Sequence, residues 1–116
     1  METGIRILAV DPNREFCRQL SELVAAEGDM EIVGIAADGM EALERAAELQ
    51  PDLMLLELVL PKLDGLEVLR RLRERGSLCR VIVLSGFVNS KVIAECSECG
   101  AEYFIPKPCD VQALIT

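Results

Sequence analysis

Five short apolar runs, separated by segments of helical period, are the feature that most constrains the fold of this chain. The runs are Ile5–Val10, Met30–Ala36, Leu53–Leu58, Arg80–Leu84 and Tyr103–Ile105. A short apolar run without polar alternation is typical of a strand buried on both faces of a parallel sheet. Strands that alternate with helices at this spacing predict an α/β fold of the flavodoxin-like (βα)5 type. We expect a doubly wound parallel sheet of five strands in the order 2-1-3-4-5.

Helix start and stop signals stand between these runs. Residues able to cap a helix precede three of the helical segments, namely Asn13, Asp38 and Asp64. Glycines stand where three of the helices are expected to end, namely Gly28, Gly76 and Gly100. The last helix begins near Asp110 and is cut off at Thr116 after fewer than two turns. A helix this short is marginal on its own, so we expect the chain to be part of a longer protein.

Size and charge limit the classes of function that the chain can have. A length of 116 residues predicts one domain with its own hydrophobic core. The net charge is −8, from 20 acidic and 12 basic residues, which argues against direct contact of this domain with nucleic acid or an anionic membrane. The N-terminus has no signal-peptide pattern and no apolar run is long enough to span a membrane, so we expect a cytoplasmic protein.

The cysteines do not predict a disulfide framework, because there are five of them in a chain with no secretory signal. Cys96 and Cys99 have the spacing of a redox or zinc motif, but the sequence contains no histidine and no second pair to complete a zinc site. At this spacing they are more typical of small apolar residues on one helix face. A thiol-based sensor that uses Cys96 and Cys99 is kept as an alternative.

Four polar residues stand where predicted strands end. They are Asp11, Glu57, Ser85 and Lys107. Because the carboxyl ends of parallel strands meet at one edge of an open sheet, we expect these side chains to converge there. The sequence therefore predicts a pocket that contains two carboxylates, a hydroxyl and an ammonium.

This set of groups resembles the acidic pocket of the response-regulator receiver (CheY-like) domains, and the resemblance covers the whole chain, residues 1–116. The motifs that carry it are Asp11-x-Asn13-Arg14-Glu15, Pro61-x-Leu63-Asp64-Gly65-Leu66 and Tyr103-Phe104-Ile105-x-Lys107-Pro108-x-Asp110. Their wording is most similar to the sporulation-initiation group, that of the stage 0 sporulation protein A regulators. The Lys107-Pro108 step also resembles the family's Lys-Pro step, which is commonly cis.

The resemblance implies a role for each pocket residue. In a working receiver an aspartate takes a phosphoryl group from a partner's histidine while Mg²⁺ neutralises the crowded anions. Glu57 stands at that acceptor position, and Asp11 and the backbone carbonyl of Val59 stand at metal-ligand positions. The positions that contact the phosphoryl group or switch on phosphorylation are occupied by Ser85, Phe104 and Lys107.

Two residues depart from the family pattern. Pro12 replaces the second acidic residue of the metal pair and has no side-chain oxygen to offer Mg²⁺. Glu57 replaces the acceptor aspartate and extends the carboxylate by one methylene, and a misplacement of about 1 Å can cost about 10²-fold in rate. We therefore expect a degenerate, non-enzymatic receiver with no cofactor, or weak Mg²⁺ binding at most.

Three interpretations of Glu57 remain open. Its longer side chain could reach Lys107 or Ser85 and imitate a phosphorylated acceptor, or it could form an ion pair with Lys107 that only fills space. Alternatively, Glu57 or the nearby Asp64 could still act as an unusual phosphoacceptor.

The expected function is control of a sporulation-type transcription factor without ordinary aspartyl phosphorylation. A DNA-binding effector domain is expected beyond the C-terminus of this chain. The expected dimer face is Ser90–Cys99, Glu102–Ile105 and the helix from Asp110. A histidine kinase or phosphotransferase is the expected upstream partner.

Overall fold

A computed structural model of the protein describes residues 4–86 and 89–107. The strands are β1 (Ile5–Val10), β2 (Met30–Ala36), β3 (Leu53–Leu56), β4 (Arg80–Ser85) and β5 (Tyr103–Pro106). The helices are α1 (Arg14–Glu27), α2 (Gly39–Leu49), α3 (Gly65–Glu74) and α4 (Ser90–Glu98). The Lys107-Pro108 bond and the helix predicted from Asp110 lie outside the described residues.

All five strands form one parallel sheet in the order β2-β1-β3-β4-β5, which confirms the predicted fold class. The strands are in register near their carboxyl ends: Val10 of β1 lies opposite Leu56 of β3, and Leu56 lies opposite Val83 of β4. The residues that follow these strands therefore emerge side by side.

The prediction for β3 was wrong at its carboxyl end, since the strand stops at Leu56 and not at Leu58. The reason is a local turn. The carboxylate of Glu57 accepts the backbone N–H groups of Leu58 and Val59, so these two groups point back toward the side chain and not toward a neighbouring strand.

The core lies on both faces of the sheet, which explains why the strand sequences are mostly apolar. Leu8 and Val10 belong to the cluster formed with α2, α3 and α4, whereas Ala9 between them belongs to the cluster formed with α1. Alternate strand residues face opposite sides, so the central strands β1, β3 and β4 are covered on both faces, whereas the edge strands β2 and β5 are partly exposed.

The predicted helix caps are confirmed by hydrogen bonds. The side chains of the three N-cap residues accept backbone N–H groups three residues later, at 3.0 Å for Asn13, 2.8 Å for Asp38 and 2.9 Å for Asp64. Gly28 ends α1 with a φ of 83°. The end of α2 was not foreseen, because Gln50 takes the left-handed conformation there with a φ of 46°.

The loop between β3 and α3 is held tightly against the start of α2. The N–H of Gly39 donates to the carbonyl of Pro61 at 3.2 Å, and the N–H of Gly65 donates to the carbonyl of Leu58 at 2.9 Å. A Cβ atom at Gly39 would lie only 1.9 Å from the carbonyl oxygen of Leu63. These interactions hold in place the loop that begins at Glu57.

Within the described ranges, no helix is long and apolar enough to cross a membrane.

Candidate functional site

The carboxyl edge of the sheet brings together the four polar residues singled out in the sequence. They are Asp11, Glu57, Ser85 and Lys107. Backbone hydrogen bonds extend the strand pairing to this edge: the N–H of Glu57 donates to Val10 at 3.0 Å, and the N–H of Lys107 donates to Ser85 at 2.8 Å. The sheet itself therefore sets the positions of the Cα atoms from which these side chains start.

The carboxylate of Glu57 is surrounded by hydrogen-bond donors. Its Oε2 atom accepts the backbone N–H groups of Leu58 at 2.8 Å and Val59 at 3.0 Å. The same oxygen accepts the hydroxyl of Ser85 at 2.7 Å, while Oε1 accepts the ammonium of Lys107 at 3.1 Å. Glu57 is only 6% exposed, so protein donors take the place of water around both oxygens.

Lys107 joins the two carboxylates of the pocket. Its Nζ atom lies 2.6 Å from Oδ2 of Asp11 and 3.1 Å from Oε1 of Glu57. The other oxygen of Asp11, Oδ1, accepts the backbone N–H of Asn13 at 2.8 Å. The ammonium also lies over the ring of Phe16, 4.6 Å from the ring centroid.

The electrostatics of the pocket keep Glu57 and Lys107 ionised. Burial alone would raise the pKa of Glu57, but the N–H of Val59, the Ser85 hydroxyl and the Lys107 ammonium outweigh it and lower that pKa. Burial alone would lower the pKa of Lys107, but the carboxylates of Asp11 and Glu57 outweigh it and raise that pKa. Glu57 and Lys107 therefore form a charged pair at neutral pH.

The remaining predicted site residues surround this network. Pro12 is exposed at the start of the loop that leads into α1. The N–H of Val59 contacts Glu57, while its carbonyl as a metal ligand stays a prediction. Phe104 in β5 is partly buried against the core cluster of α2, α3 and α4.

The residues present are a poor fit for a bound Mg²⁺ ion. Within the described part of the chain, no group of three or more His, Cys, Asp or Glu side chains is placed to hold a metal. Both oxygens of Asp11 and both oxygens of Glu57 already accept a donor. A divalent cation would have to displace the Lys107 ammonium, and Mg²⁺ dehydrates reluctantly and demands near-octahedral oxygen ligands.

The alternative candidates have a structural role or a thiol of low expected reactivity. Asp64 is exposed and caps α3 through the N–H of Glu67, which is the role of a structural cap. Cys96 is fully buried, and burial raises the pKa of its thiol. A buried thiol with a raised pKa is a weak nucleophile, so the thiol-sensor alternative gains no support.

Phe16 contacts the pocket although the sequence did not single it out as a site residue. Its position in α1 indicated only a member of the apolar stripe, and it is indeed 7% exposed and packed with Ala9 and Leu84. No local pattern relates a residue in α1 to a lysine after β5. The one available signal is that Phe16 follows Asp11 closely enough in the chain to lie near the same edge.

Residues 7–116 match the family model of the response regulator receiver domain. The chain belongs to this family. Receiver domains are regulatory and not themselves enzymes, they work with kinases and effector domains, and they bind Mg²⁺ at their phosphorylation site. The family predicted from the pocket residues is thereby confirmed.

The relatives of this receiver domain include chemotaxis proteins. It is 34% identical over 110 residues to the protein-glutamate methylesterase/protein-glutamine glutaminase of Nocardioides sp. (strain ATCC BAA-499 / JS614), covering 93% of this chain and 30% of that protein. It is 35% identical to the response regulator domain of Thermotoga maritima CheB, with a TM-score of 0.84 over 94% of this chain and 82% of that one. It is 29% identical to a chain in the CheX-CheY-BeF3-Mg²⁺ complex of Borrelia burgdorferi, with a TM-score of 0.88 over 96% of this chain and 84% of that one.

These relatives change the expected subgroup. The sequence motifs predicted the sporulation-initiation group, whereas the relatives at 34–35% identity are a methylesterase and a CheB response regulator domain, which give that group no support. The receiver domain spans about a third of the length of its methylesterase relative, so that protein's activity is not carried over to it.

Proposed function

We propose that this receiver domain holds a signalling state without being phosphorylated, because the carboxylate of Glu57 occupies the place of the phosphorylated acceptor. The observation that carries the proposal is the set of four donors around the Glu57 carboxylate: two backbone N–H groups, the Ser85 hydroxyl and the Lys107 ammonium. In an ordinary receiver, a hydroxyl and a lysine contact the phosphoryl oxygens. The resemblance assigns these two roles to Ser85 and Lys107.

The added methylene of Glu57 accounts for this reach. It lengthens the side chain by one carbon–carbon bond, about 1.5 Å, relative to aspartate. The carboxylate can then contact the Ser85 hydroxyl at 2.7 Å and the Lys107 ammonium at 3.1 Å at the same time. Charge-assisted hydrogen bonds of this kind are roughly twice as strong as neutral ones.

Two contacts of the residues that the resemblance assigns to the switch support this proposal. The hydroxyl of Ser85, which is fully buried, is turned toward Glu57. Phe104 is partly buried against the core. In the family the hydroxyl reports phosphorylation and the aromatic residue responds, so an anion that holds Ser85 supports the same response.

The geometry gives ordinary phosphorylation little support. The Glu57 oxygens are occupied by donors, and the metal that would neutralise an incoming phosphoryl group lacks the ligand replaced by Pro12. Under the proposal, a histidine kinase or phosphotransferase would not be needed to set the state of the domain.

The test is intact mass spectrometry after incubation with acetyl phosphate and Mg²⁺. We expect no addition to the wild-type chain, and addition of one phosphoryl group to the double variant Pro12→Asp/Glu57→Asp, with little on either single variant. Addition to the wild-type chain would contradict the proposal. If that addition disappeared in Glu57→Gln, Glu57 would be an active phosphoacceptor; if it disappeared only in Asp64→Asn, Asp64 would be.

A second measurement separates signalling from an inert pocket. Labelled phenylalanine allows the environment of the Phe104 ring to be followed by NMR in the wild-type chain and in Glu57→Gln. A change at Phe104 is expected if Glu57 sets the switch. An unchanged Phe104 signal would show instead that the ion pair only fills the pocket.

The domain's output has two candidates. The chemotaxis relatives favour an attached methylesterase, while the sporulation-type motifs favour an attached DNA-binding domain. Dimerisation through Ser90–Cys99 and Glu102–Ile105 would serve either one, and this face exposes 37% of Ile93 and 62% of Tyr103. The coding sequence downstream of Thr116 distinguishes the two outputs, and sedimentation with and without acetyl phosphate and Mg²⁺ tests whether any dimer forms independently of phosphate.

A further inference from the structure

The ring of Phe16 forms a third contact for the Lys107 ammonium, beside the two carboxylates. The Nζ atom lies 4.6 Å from the ring centroid, within the roughly 6 Å at which a cation is attracted to an aromatic face. Phe16 is 7% exposed, so its ring is held in place by the surrounding core and does not move freely over the surface.

Phe16 is also linked to Lys107 through the hydrogen bonds of Asn13 and Asp11. The backbone N–H of Phe16 donates to the side chain of Asn13 at 3.0 Å, and the backbone N–H of Asn13 donates to Asp11 at 2.8 Å. The other oxygen of Asp11 lies 2.6 Å from the Lys107 ammonium, which returns to the Phe16 ring. The first turn of α1 is therefore tied to the lysine through both its backbone and an aromatic side chain.

The core beneath the Phe16 ring is closely packed. The gap lined by Phe16, Asp11, Glu57 and neighbouring apolar side chains is too narrow to admit a water molecule. Cation–π attraction is stronger where the cation is partly desolvated, and the Lys107 side chain is 21% exposed. A lysine side chain has several rotatable bonds, and the ring reduces the number of directions in which its ammonium can move away from the two carboxylates.

We propose that Phe16 is a positioning residue, which holds the Lys107 ammonium between Asp11 and Glu57. It acts through Lys107 and touches no phosphoryl group. An apolar residue without a ring could fill the same core space beside Ala9, Leu20 and Leu84, but it would offer no aromatic face to the ammonium. Only the consequence of this contact rests on the proposed function: a fixed Lys107 keeps Glu57 in place.

The test is NMR of the protein with labelled lysine at fixed neutral pH. In the wild-type chain we expect the ε-CH₂ signal of Lys107 to be displaced by the ring current of Phe16, with a nuclear Overhauser contact between the two side chains. The displacement should disappear in Phe16→Leu and return in Phe16→Tyr. Leu20→Val, a change one turn along α1 in the same core cluster, is the matched control and should leave the Lys107 signal unchanged.

A double-mutant cycle measures the strength of the contact. Phe16→Leu, Lys107→Met and the double variant are compared by urea unfolding, and we expect the two residues to be coupled by about fivefold in the unfolding equilibrium constant. A coupling indistinguishable from onefold, or a wild-type Lys107 signal with no ring-current displacement, would overturn the proposal. The wild-type measurement remains decisive even if Phe16→Leu does not fold.

These readouts are independent of the proposed function. If Glu57→Gln failed to affect Phe104, the proposed signalling state would be refuted while the Lys107 signal of the wild-type chain could still show the ring contact. If the ring contact were absent, Lys107 would lack one contact that positions it, but the four donors to Glu57 would remain.

Discussion

Replacing Glu57 with glutamine should destabilise this protein, because the four donors around its carboxylate would face a side chain that can no longer satisfy them. Glutamine has nearly the same shape as glutamate, so the change removes charge without creating a cavity. If its oxygen takes the place of Oε2, its NH₂ group faces the Lys107 ammonium, which is also a donor. If the amide is turned round, the NH₂ group faces the N–H groups of Leu58 and Val59.

The magnitude follows from the hydrogen bonds and the ion pair that the substitution breaks. Each hydrogen bond to a charged group contributes about 1.5–3 kcal/mol, and breaking a buried ion pair from one side costs about 3–5 kcal/mol. The second figure is an upper bound here, because Lys107 keeps Asp11 at 2.6 Å as a partner. We therefore expect Glu57→Gln to lower the free energy of unfolding by about 2–3 kcal/mol.

Urea unfolding at pH 7 measures this change, with Glu44→Gln as the control for an exposed glutamate on α2. The reasoning would be refuted if Glu57→Gln were as stable as the wild-type chain or more stable. That result would mean that the free-energy cost of burying the carboxylate equals or exceeds the stabilisation from its hydrogen bonds and ion pair.

The pH dependence of this difference is a further check. Because the pKa of Glu57 is lowered from 4.5 in the folded protein, its stabilisation is fully present above that value and is lost as the pH falls through the folded pKa. The stability gap between the wild-type chain and Glu57→Gln should therefore close in acid. A gap that stayed constant from pH 7 into acid would contradict the ionised state assigned to Glu57.

Three further predictions concern other positions. Gly39→Ala should lower the free energy of unfolding by at least about 2 kcal/mol, because its Cβ would lie 1.9 Å from the carbonyl oxygen of Leu63; an unchanged melting temperature would show that the loop yields easily. Asn13→Ala removes the cap that accepts the N–H of Phe16 and should cost about 1 kcal/mol in urea unfolding, whereas a neutral result would mean that water replaces the cap. The pKa of Lys107 is raised from 10.5 in the folded protein, so the charged lysine stabilises the fold fully below that value and loses this effect as the pH rises through the folded pKa. The difference in unfolding free energy between the wild-type chain and Lys107→Met should therefore narrow in alkali. A difference that widened would contradict the raised pKa of Lys107.

Most of the fold could be predicted because its signals are local. The apolar runs located all five strands, and Asn13, Asp38 and Asp64 located the starts of three helices. A strand buried on both faces and a cap that accepts an N–H three residues later each depend on neighbouring residues alone. The end of β3 was misplaced because apolar character continues into Leu58, while the turn is made by the side chain of Glu57.

The residues that form the site could also be predicted from the sequence, but the hydrogen bonds between them could not. Parallel strands bring their carboxyl ends to one edge, so Asp11, Glu57, Ser85 and Lys107 were expected to meet. Nothing local indicated which carboxylate oxygen would take which donor, or that the Lys107 ammonium would lie over Phe16.

The sequence by itself determined the family, the parallel sheet and the two departures, Pro12 and Glu57, because residue identity and periodicity carry that information. It left open whether the longer carboxylate would reach the hydroxyl, the lysine or neither. Only the tertiary structure decided that Glu57 contacts Ser85, Lys107 and two backbone N–H groups together. The physical reason is that this choice depends on distances of a few ångströms between groups from three different strands, which the packing of the whole domain sets.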